Sequence, residues 1–260
     1  MVSSNDKGLM RPRIIPTLTL RAEGLYRTRA FRKPSYVGDP LNALRIFNEK
    51  EVDELCVMDV GPADKAFADR LPFLVELAKE AFMPLSFGGH LSSLEEMQSV
   101  LRAGYEKVVV NTAAVRTPEL VEKSASVFGS QSVVVSIDVG RSMFRGERVM
   151  IDRGRKATNL GPVEWAQRCE QLGAGELILR SIPHDGQMGG LDLDLIERVC
   201  TSVDIPVIGV GGAGSVEDLR KALMAGAHAV AAGSFFVYQG PRRAVLINYP
   251  EARQIESLAI

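Results

Sequence analysis

The chain has 260 residues, of which 46% are hydrophobic and 24% charged, values that are typical of a globular protein and argue against disorder. This length is too short for two full enzyme domains but suits one (β/α)₈ barrel of about 250 residues. The 31 basic and 32 acidic residues give a net charge of -1, so no basic excess indicates nonspecific binding to nucleic acid or membranes.

Short apolar segments alternate with amphipathic segments along the whole chain. The apolar segments are rich in Val and Ile, which is typical of strands buried on both faces. Strands are predicted at 13–18, 54–60, 84–87, 107–111, 132–138, 176–181, 206–210 and 229–232. Helices are predicted at 40–51, 66–81, 92–103, 117–127, 162–172, 192–202, 215–225 and 241–248. Eight such units close most simply into a barrel, and a doubly wound open sheet is the alternative.

Similar motifs recur about 120 residues apart, which indicates two related halves. Gly88-Gly89 and Gly211-Gly212 each follow a strand and precede a helix, and Glu54 and Glu176 each begin a strand. We therefore expect one domain over 1–260, with half-barrels at about 11–130 and 131–250. Residues 1–10 are expected to form a flexible extension, and 145–155 an inserted hairpin.

Each half carries the elements of a phosphate site. Glycine lets backbone N–H groups approach an anion, and a helix N-terminus adds a favourable dipole. The predicted cradles consist of Gly88, Gly89, Asn111 and Thr112 in the first half and Gly211, Gly212, Gly233 and Ser234 in the second. Two cradles at one barrel mouth imply a bisphosphorylated ligand, while tight turns without a ligand remain the alternative.

A carboxylate ends the fifth predicted strand. Asp138 lies where a barrel holds its catalytic groups, and it can serve as a general acid or base. Its counterpart in the first half is Thr19, which cannot do carboxylate chemistry near neutral pH. Asp185, followed by Gly186, could orient substrate hydroxyls or simply form a turn. His90 and His184 are expected near the same mouth.

Charged residues begin several strands at the opposite end of the predicted barrel. Pointing inward, two cations and two anions would form a ring in which every charge is paired. The ring residues are Arg13, Glu54, Lys107 and Glu176. A purely structural salt-bridge plug is the alternative.

These features together resemble the cyclase subunit of imidazole glycerol phosphate synthase over nearly the whole chain. The resemblance is carried by R-I-I-P at 13–16, G-D-P at 38–40, D-E-L at 53–55, N-T-A-A-V at 111–115, F-G-S-Q at 128–131, G-A-G-E at 173–176, D-G at 185–186 and G-G-A-G at 211–214. It implies a (β/α)₈ barrel built from two half-barrels, with a bisphosphorylated aminoimidazole ribonucleotide at the upper face. It also implies a class I glutaminase at the lower face, whose ammonia enters through a charged gate and crosses the barrel.

Some of the family's functional residues are present in this chain and others are replaced. The gate matches Arg13, Glu54, Lys107 and Glu176, and the second-half catalytic aspartate matches Asp138. The first-half catalytic aspartate falls on Thr19, and the loop lysine that closes over substrate falls on Arg27. Arginine retains the charge of lysine but not its shape.

A divergent branch of the family is similar at Y-V-G-D-P (36–40), I-F-N-E-K-E-V-D-E-L (46–55) and G-P-R-R-A-V-L-I-N-Y-P (240–250). In that branch a glutaminase and a cyclase-like barrel supply ammonia to a separate amidotransferase, which acts on a nucleotide-linked sugar for surface polysaccharide. The resemblance thus leaves two functions open: ammonia delivery to such an enzyme, or a lyase-type cyclase that closes the imidazole ring. A sister ribose isomerase is a third reading, against which Thr19 and the charged ring both count.

The remaining composition predicts neither cofactor nor metal. Cys56, Cys169 and Cys200 lack metal-ligand or disulfide spacing, so we expect small buried side chains. The start has no signal-peptide core, and no run approaches the roughly 18 apolar residues of a membrane span. These features predict a cytoplasmic protein.

Overall fold

The computed structural model describes residues 12–62, 66–142 and 146–258. Its strands are β1 (Arg13–Arg21), β2 (Gly24–Arg29), β3 (Arg32–Gly38), β4 (Leu55–Asp59), β5 (Leu85–Gly88), β6 (Lys107–Val110), β7 (Val133–Ser142), β8 (Gly146–Ile151), β9 (Lys156–Ala157), β10 (Glu176–Ser181), β11 (Val207–Val210), β12 (Ala229–Ala232), β13 (Tyr238–Gln239) and β14 (Ala244–Val245). Its helices are α1 (Pro40–Glu49), α2 (Phe67–Glu80), α3 (Leu94–Arg102), α4 (Thr112–Arg116), α5 (Glu119–Phe128), α6 (Pro162–Gln171), α7 (Leu193–Cys200), α8 (Val216–Met224), α9 (Ser234–Val237) and α10 (Ala252–Glu256), with a 3₁₀ turn at Ser130–Ser132.

Eight parallel strands close into a barrel with helices between them. The order is β1, β4, β5, β6, β7, β10, β11, β12 and back to β1. The closing pair aligns Arg13 with Ala229 and Ile14 with Val230. The (β/α)₈ prediction is therefore confirmed. The open sheet is excluded because the first and last barrel strands, β1 and β12, pair with each other, whereas an open sheet leaves its two edge strands unpaired.

The barrel strands fall at the predicted positions because their residues are buried on both faces. One apolar cluster packs between strands and helices, with Phe47, Phe87 and Phe236 among its largest members. A second cluster fills the barrel and includes Ile15 and Ile178. Four barrel strands lie within 11–130 and four within 131–250, although the division into two half-barrels stays a prediction.

The predicted helix at 241–248 is wrong. After the short helix α9, β13 and β14 form a small antiparallel hairpin that pairs Tyr238 with Val245. Gly240 has a φ of +68° between these strands, a conformation that suits a turn rather than a helix. The apolar residues that suggested a helix are exposed, Leu246 by 62%.

Two further hairpins rise from the carboxyl ends of barrel strands. The hairpin predicted at 145–155 is confirmed for its described residues, from 146 on, since β8 runs antiparallel both to β9 and to the extended end of β7. The β2–β3 hairpin continues β1, pairing Leu20 with Leu25. Sequence analysis missed this second hairpin because most residues of β3 are polar and exposed.

The predicted extension at 1–10 lies outside the described residues. Within the described ranges, no helix is long and apolar enough to cross a membrane, and no group of three or more His, Cys, Asp or Glu residues could hold a metal ion.

Candidate functional site at the barrel mouth

A cavity of about 850 Å³ opens at the carboxyl ends of the barrel strands. This is the end at which barrel enzymes of this fold place their active sites. The sequence-predicted residues that line it are Thr19, Arg27, Gly89, Asn111, Thr112, Asp138, Asp185, Gly186, Gly211, Gly212, Gly233 and Ser234. The fold thus brings together residues from both halves of the sequence.

Gly88 is the predicted cradle residue that does not line the cavity. It ends β5 inside the barrel wall, where a Cβ would lie 2.8 Å from Met58 Sδ and 2.9 Å from Val109 Cβ. Its glycine identity is therefore explained by close packing of neighbouring strands, and its predicted ligand role has no direct geometric basis.

The other glycines of the two turns are required by the backbone. Gly89 has a φ of +126°, and a Cβ there would come within 2.3 Å of the Asp59 carbonyl oxygen. Gly212 has a φ of +112°, and a Cβ there would lie 2.0 Å from the Gly190 carbonyl oxygen. Among the described residues, none accepts a hydrogen bond from the N–H of Gly89 or Gly212, so both donors are free to face an anion.

The first-half side chains are already engaged with the protein. Asn111 Nδ2 donates to the Ser136 carbonyl at 2.8 Å. Thr112 Oγ1 accepts from the Asp152 N–H at 3.0 Å and donates to Asn111 Oδ1 at 3.3 Å. These bonds fix the first-half cradle against β7 and β8, which leaves backbone N–H groups as its available donors.

Asp138 lies within β7 rather than at its end as predicted, because the strand continues to Ser142 to pair with β8, and the residue is 7% exposed. Burial raises the pKa of this carboxyl, while the positive charge of Arg180 opposes the rise. Ser136 Oγ donates to Asp138 Oδ1 at 3.4 Å. A buried carboxyl with a raised pKa can serve as a general acid or base.

Asp185 lies close to the same charges. Burial raises the pKa of its carboxyl, and Arg180 and Arg27 oppose the rise. Its carbonyl accepts from the Ala30 N–H at 2.9 Å, which attaches the tip of the β2–β3 hairpin to the mouth. A Cβ at Gly186 would lie 2.0 Å from the Thr28 carbonyl oxygen, so glycine permits this close approach.

Arg27 reaches from β2 into the mouth. Its Nη1 donates to Thr19 Oγ1 at 3.2 Å and its Nη2 donates to the Thr17 carbonyl. Burial lowers the pKa of Arg27 to about 10, against the favourable charge of Asp185. The guanidinium lies against Gly233, where a Cβ would come within 1.8 Å of Nη1.

Sequence reasoning missed several charged residues of the mouth, of which Asp59 and Arg180 lie on barrel strands. Asp59 ends β4, accepts from the Gly61 N–H at 2.8 Å and is paired with Arg70. Its position at the end of β4 was a signal that could have identified it. Arg180 lies on β10, where the matching residue of the first half is Met58, and this break in the repeat was a second usable signal.

The two histidines differ in their relation to the cavity. His90 lines it, with Nε2 at 3.9 Å from Asp59 Oδ1, and burial lowers the pKa of the imidazole despite that carboxylate. His184 instead contacts Ser181 Oγ through Nδ1 at 2.9 Å. The prediction for His90 is thus confirmed as to place, whereas His184 is engaged beside the mouth.

The four predicted ring residues meet at the other end of the barrel. Arg13 donates to Glu54 at 3.0 Å and is paired with Glu176. Lys107 Nζ lies 3.2 Å from Glu54 Oε2 and 2.9 Å from Glu176 Oε2. Each cation therefore contacts both anions, and the ring is closed.

The electrostatics of this ring are self-compensating. Both glutamate side chains are 7% exposed, which would be costly without opposite charges in contact. Burial alone would lower the pKa of Arg13, but Glu176 and Glu54 outweigh it, and the net pKa is raised. Above the ring lies an apolar layer that includes Ile15, Cys56, Val109, Val134, Ile178 and Ile208.

The chain is a (β/α)₈-barrel protein, because its eight parallel strands close into a barrel with a cavity at their carboxyl ends. Comparison with known proteins shows which family of such barrels it belongs to. The family model described as "Histidine biosynthesis protein" matches residues 13–241. The chain belongs to this family, among the imidazole glycerol phosphate synthase cyclase subunits called HisF.

The relatives match the chain almost from end to end. A Pseudomonas aeruginosa protein, provisionally named imidazole glycerol phosphate synthase subunit hisF2, is 43% identical over 95% of this chain and 99% of its own length. A Leptospira interrogans protein, provisionally named subunit HisF of the same synthase, is 41% identical over 96% and 99%. The imidazole glycerol phosphate synthase subunit HisF of Pyrobaculum aerophilum is 41% identical over 94% and 97%.

Proposed function

We propose that this chain receives ammonia from a class I glutaminase at its lower face and passes it through the barrel to the cavity. In this proposal the ammonia supplies a sugar amidotransferase that modifies a nucleotide-linked sugar for surface polysaccharide. Two features at opposite ends of the barrel carry the proposal. The charged ring at the lower end is closed, whereas at the upper end Thr19 occupies the position where the cyclase resemblance calls for a carboxylate.

The ring has the properties of a gate for a neutral molecule. All four of its charged side chains are paired with one another, so an uncharged ammonia molecule would contact no unpaired ion there. The apolar layer above it accepts ammonia more readily than ammonium, because transfer of an ion into an apolar interior is far more costly than transfer of a neutral group. Passage requires one of the contacts between Lys107 and the two glutamates to open.

The upper face supports ligand binding more clearly than ring closure. Its free backbone donors and its arginines suit a phosphorylated ligand. The two-acid chemistry of the cyclase needs a second proton-transfer group, and positioned proton transfer is worth roughly 10²–10⁴-fold in rate. The Thr19 hydroxyl instead accepts a hydrogen bond from Arg27.

An active cyclase of histidine biosynthesis is the second candidate. The buried Asp138 with its raised pKa favours it, as does the 41% identity to a named HisF subunit. In this reading Asp138 transfers protons alone while ammonia closes the imidazole ring, and the activity is that of a lyase.

Glutaminase coupling tests the proposal. The cognate class I glutaminase is titrated with the wild-type chain and with Glu54→Ala and Lys107→Ala, and glutamine hydrolysis and ammonia release are measured. Arg220→Ala is the matched control, because Arg220 forms an exposed ion pair with Glu217 on α8, outside the ring. We expect the ring variants to uncouple hydrolysis from ammonia delivery and the control to behave as wild type. Unaltered coupling in the ring variants would contradict the proposal.

A bypass assay separates the two candidates. The purified chain is mixed with the cyclase's bisphosphate substrate and a high concentration of ammonium salt, so that no glutaminase is needed. The proposal expects no turnover above background together with intact glutaminase coupling. Turnover at a substantial rate would favour the active cyclase.

A further inference from the structure

Arg180 places a positive charge on the inner wall of the barrel mouth. It lies on β10, two residues beyond Ile178 of the inner apolar cluster, and its side chain lines the cavity. In the neighbouring strand β7 its register partner is Asp138. The first half has Met58 at the matching position, so this charge is particular to the second half.

The hydrogen-bonding groups of Arg180 are unused within the described chain. The residue is 8% exposed, and its Nε is buried without a partner. No described carboxylate lies within ion-pair distance of its guanidinium, although Asp138 and Asp185 are close enough to feel its charge. A buried guanidinium with free donors is costly unless an anion completes it.

The surroundings of Arg180 are fixed by packing. The ring of Phe31, at the tip of the β2–β3 hairpin, covers it with a distance of 5.7 Å from ring centroid to Cζ. The hairpin tip is attached to the mouth through the bond from the Ala30 N–H to the Asp185 carbonyl. A covered guanidinium retains its orientation, and its planar pair of donors suits a bidentate oxyanion.

The second-half cradle lies next to the aliphatic stem of the Arg180 side chain. A Cβ at Gly211 would lie 3.5 Å from Arg180 Cγ, and the Arg27 guanidinium lies against Gly233 of the same cradle. The side chains of Arg180 and Arg27 therefore both border this cradle, from two strands. Burial is the main cause of the lowered pKa of Arg27, and the positive charge of Arg180 adds to it. An anion between them would relieve the repulsion between these like charges.

We propose that Arg180 is a specificity-determining residue that binds an oxyanion of the ligand, a phosphate or carboxylate group, at the cradle formed by Gly211, Gly212, Gly233 and Ser234. The proposal rests on the proposed function only in placing a ligand at the upper face. It adds that the second-half site selects a group able to accept two hydrogen bonds from one guanidinium, a requirement that the first half does not share.

Anion titration of the purified chain tests this proposal. Inorganic phosphate and malonate are the probes for the two oxyanion sources, and dissociation constants follow from the shift of the thermal unfolding midpoint with probe concentration. The variants are Arg180→Met, which installs the side chain of the first half, and Arg180→Lys, which retains the charge. Arg168→Met, on the exposed face of α6, is the control for loss of one positive charge.

We expect Arg180→Met to weaken phosphate binding at least tenfold, Arg180→Lys to weaken it less, and Arg168→Met to leave it unchanged. Selective loss of malonate binding would support the same site with a carboxylate as its ligand. Wild-type binding of neither probe, or equal affinities in wild type and Arg180→Met, would overturn the proposal. If Arg180→Met does not fold, wild-type affinity in Arg180→Lys overturns the bidentate contact.

The anion-binding test of Arg180 can fail or succeed independently of the glutaminase-coupling test of the proposed function. Glutaminase coupling depends on the ring at the lower face, and it is measured without phosphate. Weakened phosphate binding in Arg180→Met with glutaminase coupling lost only in the ring variants supports both proposals. Unchanged phosphate binding overturns the role of Arg180 alone.

Discussion

The guanidinium of Arg27 and the hydroxyl of Thr19 are joined by a 3.2 Å hydrogen bond across the barrel mouth. A cation thus contacts the position onto which the resemblance to the cyclase family places its first catalytic aspartate. The hydroxyl can accept this bond but cannot act as a general acid or base near neutral pH, so the pair links β2 to β1 without supplying acid–base chemistry.

Restoring the carboxylate is expected to restore ring closure. Thr19→Asp supplies a second acid beside Arg27, and we expect at least about a 10²-fold gain in ammonium-dependent turnover of the cyclase substrate, because positioned proton transfer is worth 10²–10⁴-fold. Thr19→Asn is the matched control, since it has the same shape without the acid. Equal rates in these two variants would contradict the assignment.

Gly233 is expected to be required for the placement of Arg27. Gly233→Ala puts a Cβ 1.8 Å from Nη1, so the guanidinium must leave and lose its bonds to Thr19 and Thr17, at a cost of about 1–2 kcal/mol. Urea unfolding measures this cost. Gly189→Ala should be nearly neutral, because nothing lies within 4 Å of its added Cβ. In an Arg27→Met background the cost of Gly233→Ala should disappear; a cost that persists would show another cause.

The charged ring is expected to behave as one coupled unit. Lys107→Met leaves the two buried glutamates with Arg13 alone, and we expect a loss of about 2–3 kcal/mol in the free energy of unfolding. Glu54→Gln in the same background should restore part of this loss, because it removes the excess negative charge. A double-mutant cycle by urea unfolding measures the coupling. Additive effects would rule out direct contact between the two side chains.

The buried Asp138 carboxyl is expected to destabilise the fold at neutral pH. Its raised pKa means that the folded chain binds a proton more readily than the unfolded chain, so stability falls as pH rises from the ordinary value of 3.8 through the raised value. Asp138→Asn should therefore gain stability relative to wild type across this window and match it below. Unfolding measured between pH 3 and 8 tests the sign. A gain no larger than that of the exposed Asp194→Asn would contradict it.

The barrel was predictable because its strands are buried on both faces and therefore have continuous apolar runs. Prediction failed at two places where that rule does not apply. The β2–β3 hairpin is polar and gains its structure from pairing with β1, and the apolar residues near Leu246 suggested a helix but follow a glycine turn. Local pattern could not show either pairing, because the partner residues are set by the path of the chain after a strand ends.

The sequence by itself determined the eight alternating strand and helix units, the two glycine turns and the four ring charges, since each depends on residue type and period along the chain. Closure of the barrel was settled by the pairing of β1 with β12. The tertiary structure alone decided that Lys107 contacts both glutamates, that Gly88 packs in the wall, that Arg27 is bonded to Thr19, and that Arg180 Nε has no hydrogen-bond partner among the described residues. These are distances between side chains on different strands. They follow from closure and stagger of the barrel, which no local pattern encodes.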